Sequence, residues 1–151
     1  MNTFGNGHPD IALYRNNLGD AWSNKGSYDK AINYYEQALT IMMKNLGEAH
    51  PHVATIRNNI GNAWISKDDP DKAIHYLEQA LASDTKLLGK AHPSVAKDQN
   101  SLGEAWRSKG DTEKAIRYFE LAYATLHEKL GANTQCTFLR RISSHMTPIN
   151  G

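Results

Sequence analysis

The chain has little of what secreted, membrane-spanning or metal-binding proteins usually carry. Its 151 residues include one cysteine, Cys136, which excludes an intrachain disulfide and any site built from several cysteines. No hydrophobic run approaches the roughly eighteen residues that a membrane helix needs, and residues 1–7 do not resemble a signal peptide. We therefore expect a cytoplasmic protein that does not associate with membranes.

Charge of one sign is also lacking, because 17 lysines and arginines nearly balance 16 aspartates and glutamates. A net charge of +1 provides no basic field for a phosphate backbone, so nucleic acid is not an expected partner. With 40% hydrophobic residues, the chain can still bury the core of one domain.

The sequence does have an internal repeat. His-Pro dipeptides begin at His8, His50 and His92, each 42 residues from the next, and Gly19 and Trp22 recur at the same interval. Between the first two units, 23 of 42 positions are identical. Self-similarity at such a period indicates a repeat architecture. The predicted organisation is a leader (1–7), three repeats (8–49, 50–91 and 92–133) and a tail (134–151).

Each repeat has the pattern of two helices joined by a turn. In the second half of the first repeat, Ala31, Tyr35 and Ala38 fall at the spacing of one helix face. Proline follows each histidine at a place where a first helical position tolerates its missing N–H. Glycine inside the first helix, as at Gly19 and its equivalents, predicts close approach of the paired helix. Ala31 and Ala38 are expected to supply the facing surface.

The spacing of Gly19, Trp22, Ala31 and Ala38 within residues 17–39 resembles the tetratricopeptide repeat. The 42-residue period exceeds the usual period of about 34 and is similar to that of kinesin light chains. No heptad segment precedes the repeats, so we do not expect a complete kinesin light chain. The resemblance implies an all-α, right-handed superhelical solenoid of helix pairs, with the first helix of each pair on the concave side.

The resemblance also implies a non-enzymatic scaffold that binds an extended peptide segment of a partner in this groove. Three equivalent asparagines could pair with a peptide backbone; alternatively, each bonds only the neighbouring helix. Lys97 and Arg107 are predicted to favour an acidic ligand side chain, Asp20 a basic one and Ile65 an apolar one. The predicted groove residues are Asn16, Asp20, Asn58, Asn62, Ile65, Lys97, Asn100, Glu104 and Arg107, beside Leu13 and Thr55.

Other chemistries have less support in the sequence. Asn59 and Lys97 match the carboxylate clamp of chaperone-binding relatives, but Asn16, Asp20 and Ser101 depart from it, which disfavours a chaperone-tail receptor. The histidines of the three turns lie too far apart to share a metal, and His50-x-His52 lacks a third ligand. We therefore expect no metal, no cofactor and no catalytic residues, and an enzyme is the most distant alternative.

The ends of the array suggest a second functional hypothesis. Phe138, Leu139, Ile142 and Met146 have helical spacing, which predicts a capping helix over about 135–146. The first helix has no comparable cover, because Phe4 is the only large apolar residue ahead of it apart from Met1. Self-assembly through open ends, including a homodimer through terminal helices, is therefore the alternative to peptide binding.

Overall fold

The computed structural model describes residues 7–130, which form six α-helices and no strands. The helices follow one another as three antiparallel pairs, each joined by a short turn, and this part of the chain contains no helix with the length and apolar character needed to cross a membrane. The bounds are α1 Pro9–Asn24, α2 Tyr28–Leu46, α3 Pro51–Ser66, α4 Pro70–Leu88, α5 Pro93–Lys109 and α6 over 112–130.

Each first helix begins at a His-Pro dipeptide, in which the histidine caps the helix and the proline occupies its first position. Nδ1 of His8, His50 and His92 accepts the backbone N–H two residues further on, at 3.0 to 3.1 Å, and so satisfies one of the free donors of the helix start. The proline that follows occupies a position whose N–H would be unpaired in any case.

The turns within the pairs need a left-handed residue, and the sequence supplies one each time. Gly26 and Gly110 have φ angles of 88° and 97°, and Asp68 takes the same place in the middle pair at φ 67°. Asp tolerates this conformation better than most residues with a side chain. Asp69 then caps α4 by accepting the backbone N–H of Lys72 at 3.3 Å.

The two helices of each pair cross at the buried glycine. A Cβ built on Gly19 would lie 2.5 Å from the ring of Tyr35, and one on Gly61 would lie 2.5 Å from Cγ of Leu77. The predicted close approach is therefore confirmed. Ala31 and Ala38 were predicted to face the glycine. Both are buried, but the residue that contacts Gly19 is Tyr35, which lies between them in the sequence.

Two clusters of buried residues hold the pairs together. The first joins α1, α2 and α3, the second joins α3, α4 and α5, and Trp64 packs against both. Trp64 is only partly buried. On its exposed side, the amines of Lys67 and Lys72 lie 5.0 and 4.3 Å from the centroid of its ring. Equivalent pairs of lysines lie over Trp22 and Trp106, so all three tryptophans make cation–π contacts at the surface.

The stack is an all-α solenoid whose spacing differs between its two sides. The backbones of successive first helices, α1 with α3 and α3 with α5, come within 8 Å of each other, whereas those of α2 and α4 do not. The side with the tighter spacing is the inner side of a curved stack, so the first helices line the concave surface. The predicted capping helix and Cys136 lie outside the described residues.

Candidate functional site

The concave surface is the exposed side of α1, α3 and α5. Successive residues on a helix are 100° apart, so positions 42 residues apart in the repeat form columns across the three helices. Two columns lie at the middle of this surface, within about 20° of each other around the helix. They consist of Leu13, Thr55 and Lys97, and of Asp20, Asn62 and Glu104.

The column of equivalent asparagines lies to one side of this surface, towards the following helix pair. Asn58 is 1% exposed, and its Nδ2 donates to Oδ1 of Asp98 at 2.7 Å and to Oγ of Ser101 at 3.4 Å. Asn16 is half-buried and accepts from Nδ2 of Asn59 at 3.1 Å. The predicted ladder of three accessible amides is therefore wrong for Asn58, which follows the alternative of bonding the neighbouring helix.

Asn100 is exposed for the same reason that Asn58 is buried. Asn58 is covered by α5, the first helix of the next pair, whereas the described residues contain no first helix of a pair following α5 and α6. Asn16, Asn58 and Asn100 therefore differ in environment although they are equivalent in sequence. This difference follows from position in the stack, which a residue pattern alone does not report.

Asn62 is the one amide side chain in the two central columns, and a hydrogen bond holds it. Its Nδ2 donates to Oδ1 of Asn58 at 2.9 Å, and Asn58 is itself held by the buried Asp98. A buried polar chain thus runs from Asp98 through Asn58 to the surface. Because one N–H of Asn62 is used in this chain, its carbonyl oxygen and second N–H are left for a ligand.

Asp20, at the other end of the same column, is also held in place. The hydroxyl of Tyr35 donates to Oδ1 of Asp20 at 2.6 Å. Burial, and then the hydrogen bond and charge of Asp20, raise the pKa of Tyr35, so the hydroxyl stays protonated and remains a donor to Asp20. Asp20 is exposed, and its second oxygen faces no bonded partner among the described residues.

The third pair contributes charge of both signs. Lys97 is exposed, while Arg107 forms an ion pair with Glu104 across one helical turn. Arg107 is thus already partly neutralised, which leaves Lys97 as the stronger cation of the surface. Ile65 was predicted as an apolar groove contact; it is only half exposed, because it packs against the second core cluster beside Trp64.

The histidines have a structural position at the helix starts. The rings of His50 and His52 stack with centroids 5.1 Å apart, and Nδ1 of His50 is used by its cap. Within residues 7–130, no three His, Cys, Asp or Glu side chains are grouped closely enough to hold a metal ion.

The sequence matches the tetratricopeptide repeat family over residues 10–86 and 65–127. The chain therefore belongs to this family, whose members are typically non-enzymatic scaffolds that bind other proteins. The repeats are of the kinesin-light-chain type, as the solved structures similar to the chain show. Comparison with curated proteins finds no match for the sequence.

Two structures of this type overlay well on the chain. BtubC (BKLC) from P. vanneervenii is 27% identical with a TM-score of 0.77, covering 83% of this chain and 50% of that one. The nearly identical TPR-like repeats of a Podosopora anserina protein assigned as a kinesin light chain are 26% identical with a TM-score of 0.72, covering 88% and 60%. The chain thus spans between half and three fifths of the length of these two structures.

The N-terminal domain of the stress-induced protein STI-1 from C. elegans shares the fold at lower identity. It is 18% identical with a TM-score of 0.63, and the match covers 83% of this chain and 89% of that domain. This likeness concerns the arrangement of the helices alone.

Proposed function

We propose that the chain is a non-enzymatic interaction module that binds an extended segment of a partner protein along its concave surface. The observation that carries this proposal is the buried hydrogen-bond chain from Asp98 through Asn58 to Asn62. It holds a surface amide in place before any ligand arrives. A preordered group loses less conformational freedom on binding, so more of its hydrogen-bond energy contributes to affinity.

An extended peptide suits such an amide because its backbone offers a donor and an acceptor at regular intervals. The free carbonyl oxygen and N–H of Asn62 can pair with one peptide unit without reading its side chain. Thr55 and Leu13 lie in the neighbouring column and provide a small polar and an apolar contact beside it. Backbone pairing would supply the affinity that is common to many ligands.

Charge would set the direction of the peptide. Asp20 on α1 favours a basic ligand residue, and Lys97 on α5 favours an acidic one, with Asn62 on α3 between them. A ligand with a basic residue at one end and an acidic residue at the other would therefore bind in one direction. Cytoplasmic location, which fits the single cysteine, belongs to the same proposal.

The test begins with a peptide selected from a displayed library by the intact chain. Asn62→Ala should weaken its binding by about fivefold, which corresponds to the loss of one hydrogen bond. Lys97→Glu should weaken a peptide with an acidic end, and the difference from the parent should shrink at high salt. Thermal unfolding of each variant checks that the fold is intact.

Lys44→Glu is the matched control, because Lys44 is an exposed lysine on α2, outside the concave surface. Its charge reversal should leave the affinity unchanged. If Lys44→Glu abolishes binding while Asn62→Ala and Lys97→Glu bind as the parent does, the ligand lies on the other side of the solenoid and the proposal is rejected.

A further inference from the structure

The two internal junctions between helix pairs share an ion pair at the same edge. Lys67 at the end of α3 pairs with Asp29 at the start of α2, and Lys109 at the end of α5 pairs with Asp71 at 2.6 Å. In both, a lysine of one pair reaches an acid of the preceding pair. The equivalent lysine of the first pair is Lys25, and the equivalent acid of the third pair is Glu113.

Lys25 and Glu113 are therefore the unused halves of a repeated contact. Both side chains are exposed, and neither has an ion-pair partner among residues 7–130. They lie at opposite ends of the stack, Lys25 after α1 and Glu113 in the first turn of α6. Their charges are opposite.

A tyrosine–glutamate contact at the first junction runs in the same direction. The hydroxyl of Tyr76 on α4 donates to Oε1 of Glu36 on α2 at 2.8 Å. At the next junction, Glu78 lies close enough to Tyr118 for its charge, after burial, to raise the pKa of that tyrosine. The equivalent tyrosine of the first pair is Tyr34, and the equivalent glutamate of the third is Glu120.

The surfaces at the two ends of the stack are also complementary in shape: one has a groove and the other has exposed apolar side chains. Among residues 7–130, a groove of about 450 Å³ between α5 and α6 is open; it is lined by Phe119, Leu126, Lys97 and Asn100 among others. Its lining residues occupy the same repeat positions as those of the groove between α3 and α4, against which α5 packs. At the other end, the face of α1 exposes Tyr14 (65%) and Leu18 (45%), whose equivalents Ile56 and Ile60 are buried in an internal junction.

We propose that the α5–α6 face of one chain binds the α1–α2 face of a second copy, in the register of the internal junctions. Lys25 then meets Glu113 of the second copy, Tyr34 meets Glu120, and Tyr14 and Leu18 enter the open groove. The contact is head-to-tail, so it leaves one free face at each end and produces open-ended stacks. It requires no ligand on the concave surface.

A symmetric dimer through either face alone would leave these pairs unformed. The α1 face carries the lysine and the tyrosine, and the α6 face carries both glutamates, so only the head-to-tail arrangement brings donors to acceptors. The exposed ion pair itself contributes little, on the order of 1 kcal/mol or less. It selects the register, while burial of the apolar groove provides most of the affinity.

The test is sedimentation equilibrium of the full chain over a wide concentration range. The average mass should rise above 16.8 kDa with concentration and should pass twice that value without reaching a plateau. Lys25→Glu and Glu113→Lys should each weaken association by about fivefold to tenfold, because each places like charges together. The double variant Lys25→Glu, Glu113→Lys should restore it.

Lys90→Glu serves as the control, since Lys90 is exposed in the α4–α5 loop and belongs to neither end face. It should associate as the parent does. A mass of 16.8 kDa at every concentration would overturn the proposal. A plateau at the dimer, or a double variant no better than the single ones, would overturn it as well.

Discussion

A buried pair of carboxyl groups lies in the second junction, where the first junction has methionine and isoleucine. Asp84 and Asp98 are 3% and 2% exposed, and they are the repeat equivalents of Met42 and Ile56. Burial, with the neighbouring Asp84, raises the pKa of Asp98 to about 8. The pair therefore holds a proton at neutral pH that the unfolded chain, in which aspartate has a pKa of about 3.9, has already lost.

This pair makes stability depend on pH. Because the folded-state pKa of Asp98 is raised, the folded chain binds more protons than the unfolded chain between about pH 4 and about pH 8. The contribution of this pair to the free energy of unfolding is largest below this window and falls as the pH rises through it. We predict that urea denaturation will show a loss of a few kcal/mol across this range.

Asp84→Asn tests the origin of this effect, since it keeps the size and a hydrogen bond but removes the second charge. The variant should be more stable than the parent at about pH 8 and close to it at about pH 5, with a flatter profile. Glu128→Gln, at an exposed acid of α6 that has no ion-pair partner among the described residues, should leave the slope of the parent unchanged. Equal slopes in the parent and the Asp84 variant would show that the buried pair is not responsible.

The glycine at each helix crossing allows the two helices of a pair to pack closely, because it has no Cβ. Gly61→Ala would normally stabilise a helix by about 1 kcal/mol, but its Cβ would lie 2.5 Å from Cγ of Leu77. We predict a net loss of about 1 to 3 kcal/mol from overpacking. In a Leu77→Ala background the same change should become neutral or stabilising, because the clash is gone. Chemical denaturation of the four chains measures this coupling, and simple additivity would contradict it.

The helices and their pairing could be read from the sequence because the signals are local. His50-Pro51 marks a helix start, Gly26 a helix end and Gly61 a close crossing, each through a property of the residue itself. The environment of Asn58 could not be read in this way. Whether its amide points into solvent or into α5 depends on how successive pairs stack, and the three equivalent asparagines have the same sequence signal.

The acid pair was missed for a related reason. Asp84 and Asp98 are separated by 14 residues and lie on different helices, where isolated acids usually face water. The available signal was the repeat alignment, which places both at positions occupied by apolar residues in the first junction. A polar residue at an otherwise apolar repeat position is a sign of a buried polar contact.

At the scale of the element, Trp64 is the side chain that joins neighbouring pairs, because it packs against both core clusters while Trp22 packs against one. Trp64→Ala should therefore lower stability by about 3 kcal/mol, near the small end of the range for such changes since the ring is partly covered by lysines. Trp22→Ala is the matched control and should cost less. Equal losses in thermal or urea unfolding would show that Trp64 does not couple the pairs.

At the scale of the whole molecule, the stack presents two kinds of surface with different chemistry. The concave surface is polar and ordered by the buried Asp98–Asn58–Asn62 chain, which suits a peptide backbone. The end faces are more apolar and carry complementary charges, which suits another helix pair. Association through the ends would lengthen the concave surface, so the two proposed interactions are compatible and can be measured separately.

The central claim is that the concave surface is the ligand site, and mapping of a selected peptide by NMR tests it most directly. The isotope-labelled full chain is titrated with the peptide, and the backbone signals and asparagine side-chain amides are followed. We predict the largest shifts at Asp20, Asn62 and Glu104, including the side-chain amide of Asn62, with α2 and α4 little changed. Shifts confined to α2 and α4, with Asn62 unaffected at saturating peptide, would contradict the account.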